Sequence, residues 1–282
     1  MFQLQSGDTV AFVANSNPQN RPEEIQKLEK CLQSLGLKVK KSPLLFENSF
    51  TNGAEKARVM HQFFQDREIK AIFDISGGDR ANGVLPYLDF QLLKAHPTPF
   101  FGYSDVSSVL NSLLAHTEQT AELFQLKTLI WDESGGQVEK FKQTFFEGKN
   151  SLYQSDWQFI QGNELEGRVI GGNIRCFLKL AGTPYQPDFT DKILFLESYG
   201  GDKNALFSSF HQLKQQPHFD KLKGILLGTF ISYQEENSYP IAELLKDVLQ
   251  MPDLPIAITQ QIGHRPTSNA LSLGRKITLN VK

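Results

Sequence analysis

The sequence predicts an α/β protein. An N-terminal domain is built on a parallel sheet, and a smaller C-terminal α/β domain follows it. Two observations of the chain carry the α/β class and its division in two. Short apolar strand patterns alternate with amphipathic helical ones from residue 9 onward, which implies right-handed crossovers and a mostly parallel sheet covered on both faces. The texture then breaks once, at the charged and glycine-bearing DESGGQVEKFKQTFFEGKN (132–150), before strand–helix alternation resumes. We therefore expect an N-terminal domain over 1–135, a linker region over 136–165 and a C-terminal domain over 166–282. A chain of 282 residues with 40% hydrophobic and 21% charged residues is long enough for two cores.

Each element follows from a local signal. TVAFVANS (9–16) reads as a strand running into polar loop residues. Pro22 opens a helix that closes at Gly36, with Ile25, Leu28, Leu32 and Leu35 on one face. LKVKKSPLLF is a second extended stretch, and GAEKARVMHQFFQD a helix with Ala57, Met60 and Phe64 aligned. IKAIFDIS (69–76) is a strand leading into Gly77-Gly78, and PFFGYS another, followed by the helix DVSSVLNSLLAH. In the second half GRVIGGNIRCFLKLAGTPY precedes the strand KILFLE (192–197) and a helix with Leu206, Phe210 and Leu213 at helical spacing. GILLGTF, IAELLKDVLQ, IAI and KITLN complete the alternation.

Composition excludes several classes of function. The net charge of −2 and the lack of a basic cluster argue against nucleic acid or a membrane surface as partner. The 2 cysteines, Cys31 and Cys176, lie far apart with no CxxC spacing. With no apolar run of membrane-spanning length and no signal-peptide pattern at the N-terminus, a reduced, cytoplasmic protein is expected. His61, His96, His116, His211 and His218 fall in helical or surface contexts with no HExxH, so no metal site is expected.

Three residues sit just beyond apolar strands, where parallel sheets place their chemistry. Ser104 lies in FFGYSDVSSVL, Glu197 ends KILFLE, and His264 follows IAITQQIG. Taken alone, Ser104 reads as a helix N-cap. As a nucleophile it needs a base, which histidine supplies near neutral pH, and a carboxylate to orient that base. Gly263 would let the backbone carrying His264 approach another group closely. Glu197 has a plainer reading, as an acid at a helix start. Oxyanion donors are available in the N–H of Asp105 and in the turn SGGDRANG (76–83), through Gly77 or Gly78. A phosphate cradle is the weaker reading of that turn, since it lacks GK[ST] and GxGxxG and places Asp79 where an anion would lie. GYSDV lacks the second glycine of the G-x-S-x-G elbow, which argues against an ordinary α/β-hydrolase.

Together, SGGDRANGVLPYLDF, FFGYSDVSSVL, GRVIGGNI with LAGTPYQPDF, KILFLES and IGHRPTSNALSLGRKITL resemble the LD-carboxypeptidases, the S66 serine peptidases that include the microcin immunity peptidases. The resemblance spans about residue 70 to the C-terminus. It implies a glutaminase-like or flavodoxin-like parallel-sheet N-terminal domain carrying the nucleophile Ser104, and a smaller C-terminal α/β domain carrying the base His264 and its partner Glu197. It also implies oxyanion donors at Asp105 and Gly77 or Gly78, no cofactor, a homodimer, and a role in peptidoglycan recycling. The implied substrate is a small murein-type tetrapeptide with a free C-terminal carboxylate, cleaved at its terminal D-amino acid. Asp79, Arg80 and Arg265 are the candidate substrate-binding residues, the two arginines as receptors for that carboxylate. The immunity branch instead hydrolyses an aminoacyl-nucleotide-like antibiotic, and a non-catalytic ligand-binding module on the same fold is the third reading. Two departures bear on the substrate: GGDRANG stands where many members have Gly-Gly-Tyr-Gly, and HTEQTAELFQLKTL lacks their Gly-Pro pair.

Overall fold

The computed structural model describes residues 2–281 and contains two six-stranded sheets. The first holds β1 (Thr9–Val13), β2 (Lys38–Lys41), β3 (Ile69–Asp74), β4 (Phe100–Gly102) and β5 (Ala121–Leu123). The second holds β6 (Gln158–Gln161), β7 (Glu164–Asn173), β8 (Lys192–Ser198), β9 (Gly224–Phe230), β10 (Ile256–Ile258) and β12 (Lys276–Asn280). Between the last two, β11 (Leu271–Leu273) crosses back to the first sheet.

The spatial orders are β11-β5-β4-β3-β1-β2 and β12-β7-β8-β9-β10-β6. In the first sheet all pairs are parallel except β11 with β5. In the second, β7, β8, β9 and β10 are mutually parallel, with antiparallel β12 and β6 at the edges. Both sheets are thus mixed, with parallel centres as the strand–helix alternation predicts. The second is as wide as the first.

Strand periodicity explains how one sheet serves two cores. Val10, Phe12, Ala71, Phe73 and Phe101 point into a core completed by Phe141 and Phe145, while Ala11, Val13, Ile72 and Phe100 point the other way. That opposite core runs without a break into the second half of the chain, taking in Val109 and Leu110 beside Ile170, Ile174 and Phe195. The abundant phenylalanine serves this packing: Phe73 stacks on Phe101 at 4.5 Å, and Phe101 meets Phe145 edge-on at 5.6 Å.

The stretch 136–165 is not a free linker. Its helix Gly136–Phe145 packs Phe141 and Phe145 on the first sheet, and β6 pairs with β10 in the second. Charge and glycine mark only the solvent side of that helix. Phe141 and Phe145 stand four residues apart on one face and are buried, which decides where it docks.

Candidate active site

Ser104 follows the carboxyl end of β4 at a turn that holds its backbone at φ +55°, in the left-handed region unusual for a residue with a Cβ. A 3-10 turn over Ser104–Val106 leads into the helix Ser107–Thr117, and neither start receives a side-chain cap from Ser104. The capping role expected from the local sequence is therefore not the one it plays. The elbow works with one glycine: a Cβ on Gly102 would lie 2.4 Å from Val106 Cγ1, so Val106 fills the space that its counterpart leaves free.

Glu197, the penultimate residue of β8, is fully buried, and its carboxylate has two partners. Oε2 lies 2.6 Å from His264 Nδ1, and Oε1 accepts a hydrogen bond from Asn173 Nδ2 at 3.1 Å. His264 is 18% exposed in its side chain. Its ring sits between two tyrosines, edge-on to Tyr103 at 5.1 Å and tilted against Tyr199 at 5.4 Å. Each tyrosine neighbours a key residue in sequence, Tyr103 next to Ser104 and Tyr199 two beyond Glu197. Burial first, and the nearby Glu197 charge second, push the Tyr103 hydroxyl well above the ordinary tyrosine range. Gly263 does permit a close approach, since a Cβ there would lie 1.6 Å from Thr229 Oγ1 on β9.

Ser104 and His264 line one cavity of about 640 Å³ with Gly78, Asp79, Asn173, Arg175 and Tyr199. Gly77 backs the serine: a Cβ there would come within 3.9 Å of Ser104 Oγ. The Gly77-Gly78 turn rests on a buried polar scaffold. Asp105 Oδ2 accepts hydrogen bonds from Ser16 Oγ at 2.6 Å and Ala81 N at 2.8 Å, while Oδ1 accepts from Lys179 Nζ at 2.5 Å. Asp74 accepts from Asn15 N at 3.1 Å and Ser76 N at 3.0 Å, and its burial pushes its carboxyl above the usual range. Lys56, also buried, donates to Ser16 O at 2.7 Å; desolvation lowers its basicity. Asp105 thus has a side-chain role, anchoring the turn, besides the backbone N–H for which the sequence singled it out.

The expected substrate-binding residues separate. Asp79 lines the cavity, paired with Arg175, whose hydrogen bond is the main influence holding its carboxyl below the usual range. Arg80 points elsewhere: its guanidinium stacks 3.8 Å above Phe50 and donates to Asn48 Oδ1 at 3.0 Å. Arg265 is exposed and does not line the cavity. Both arginines precede or follow a site residue in sequence, but consecutive residues at a turn point in different directions.

Sequence reasoning missed Asn173 and Arg175. Asn173 joins the two halves: its N–H bonds Ser107 Oγ at 3.0 Å on the helix after Ser104, and its side chain holds Glu197. The neighbouring Gly171 exchanges bonds with Asn111 on the same helix at 2.7 and 2.8 Å. The adjacent glycines of VIGGN were the available signal, a strand end shaped for close backbone contact.

Residues 10–123 match the family model described as the LD-carboxypeptidase N-terminal domain, and residues 166–279 that of the LD-carboxypeptidase C-terminal domain. The "Probable murein peptide carboxypeptidase" of Bacillus subtilis strain 168 is 27% identical over 98% of this chain and 90% of its own length. The microcin C7 self-immunity protein MccF of Escherichia coli is 26% identical over 98% and 92%. Among solved structures, the MccF-like protein from Bacillus anthracis strain Ames superposes with a TM-score of 0.86 at 24% identity, covering 100% of this chain and 95% of that one. That superposition shows the fold to be shared.

Proposed function

Because this chain belongs to the LD-carboxypeptidase family, we propose that it is a serine peptidase that releases the C-terminal D-amino acid of a murein-type tetrapeptide through an acyl-enzyme. The single observation that carries this reading is the 2.6 Å pair of buried Glu197 with His264, which lines the same cavity as Ser104.

With Nδ1–H donated to a buried carboxylate, the His264 Nε2 lone pair is left to accept the Ser104 proton. The freed serine oxygen attacks the amide carbon. Negative charge then develops on the carbonyl oxygen, where the N–H groups of Asp105 and of Gly77 or Gly78 would receive it. One such donor is worth about 2.7–4 kcal/mol of barrier. His264, now protonated, passes its proton to the departing amine as the C–N bond breaks. Water then attacks the ester with His264 again as base, and Ser104 is regenerated. Glu197 stabilises the imidazolium in both halves. The chemistry needs no cofactor.

The test is release of D-alanine from a murein tetrapeptide by the purified protein and by Ser104→Ala, which is expected to release none. Wild-type turnover by that variant overturns the assignment. The likeness to MccF supports a second reading, hydrolysis of an aminoacyl-nucleotide antibiotic. Side-by-side assay of both substrates separates the two. Failure of Ser104 to react with a fluorophosphonate would instead favour a non-catalytic binding module.

A further inference from the structure

We propose that Arg175 is the receptor for the substrate carboxylate, and that Asp79 occupies it as an internal stand-in when the cavity is empty. The inference rests on the peptidase reading above and names the specificity residue of that same site.

A carboxypeptidase must hold a free carboxylate within a few ångströms of its nucleophile, and Arg80, Arg265 and Lys179 are each either committed elsewhere or outside the cavity lining. Arg80 is stacked on Phe50 and bonded to Asn48. Arg265 lies outside the lining. Lys179 has a side chain only 17% exposed and neutralises the buried Asp105, while also donating to Asp79 O at 3.0 Å. Arg175 remains: it lines the cavity with Ser104 and His264, and its side chain is 60% exposed.

Its present partner has the chemistry of the proposed ligand. One guanidinium nitrogen donates to the Asp79 carboxylate, and another lies 3.3 Å from Gly78 O. Asp79 is itself 63% exposed, and so solvated an ion pair is readily exchanged. The planar fork of arginine suits bidentate capture of the incoming carboxylate. Arg175 is anchored by Asn173, whose side chain caps the turn that follows, so the receptor is positioned by the residue that also holds Glu197. The carboxylate bound could be the peptide's terminal group or an acidic side chain of the acyl part; both would satisfy the same fork.

The experiment measures binding of a murein tetrapeptide and of its C-terminal carboxamide to Ser104→Ala protein, with and without Arg175→Gln. In parallel, kcat and KM for the free acid are measured in wild type, Arg175→Gln and Arg175→Lys. The expected result is a preference for the free acid of about 10- to 100-fold that collapses to near unity in Arg175→Gln. KM should rise with little loss of kcat, and Arg175→Lys should recover part of it. A preference that survives Arg175→Gln overturns the proposal while leaving the peptidase reading intact. So does a loss confined to kcat, which would make Arg175 a tether for the Gly78 turn. Equal binding of acid and amide by the Ser104→Ala protein also overturns the terminal-carboxylate assignment. Repeating the binding with the acyl-part carboxylate amidated then tests the remaining source. If wild type neither binds nor cleaves the tetrapeptide, the peptidase reading fails and this inference falls with it.

Discussion

Glu197 Oε2 and His264 Nδ1 meet at 2.6 Å although 67 residues separate them in the chain. The carboxylate sits on a fully buried strand end and the imidazole on a loop after β10, so the bond joins a rigid element to a less constrained one. Glu197→Gln preserves the shape of the contact but presents an amide to Nδ1, favouring the wrong imidazole tautomer. We expect kcat to fall by roughly 10⁴-fold with KM nearly unchanged, read from D-alanine release. A loss of less than tenfold would mean that His264 is oriented chiefly by Tyr103 and Tyr199.

Ser104 holds a left-handed backbone conformation that glycine would adopt without strain. Ser104→Ala and Ser104→Gly should both be inactive, but the glycine variant should be more stable than the alanine one by about 1 kcal/mol. The midpoints of urea unfolding, compared at equal slope, check this. Equal midpoints would show that the turn relaxes when the hydroxyl is removed.

The pair of Lys179 with buried Asp105 crosses between the two halves of the chain and supports the turn carrying Gly77 and Gly78. Lys179→Met leaves the Asp105 carboxylate buried without its cation, at an expected cost of about 3 kcal/mol. Adding Asp105→Asn should restore part of that stability. Activity should remain low in the double variant, because there the Ala81 N–H and Ser16 hydroxyl lose a charged acceptor.

Gly102 and Val106 share one space at the elbow. Gly102→Ala should destabilise by about 1–3 kcal/mol through overpacking. In the double variant Gly102→Ala/Val106→Ala the loss should be smaller than the sum of the two single losses. Strict additivity would show that the backbone, rather than Val106, resists the added methyl.

Much of this site was legible because its three principal residues each follow an apolar strand. Ser104, Glu197 and His264 stand at or beyond β4, β8 and β10, and the glycine before His264 signalled the contact with Thr229. The short strands β5 (AEL), β6 (QFIQ) and β11 (LSL) were not legible: unlike the equally short IAI of β10, each mixes polar residues into three or four positions and shows no apolar run. Arg80 and Arg265 were chosen for their closeness in sequence to site residues, and the structure turns Arg80 onto Phe50 and leaves Arg265 outside the cavity. Arg175 was passed over within the apolar stretch IRCFL. Its spacing of four from Lys179 was a usable sign, because i and i+4 share a helix face. Both side chains reach Asp79, and Lys179 also reaches Asp105.

The sequence by itself determined the longer elements, the parallel strand centres and the positions from which chemistry could issue. These depend on periodicity and backbone preference within about a dozen residues. Only the tertiary structure decided that β11 returns to the first sheet, that one core runs through both halves, and which charges face the cavity. Those outcomes depend on side-chain direction and on packing between segments far apart in the chain. Asn173 draws the two halves together, bonding the helix after Ser104 with its backbone and Glu197 with its side chain.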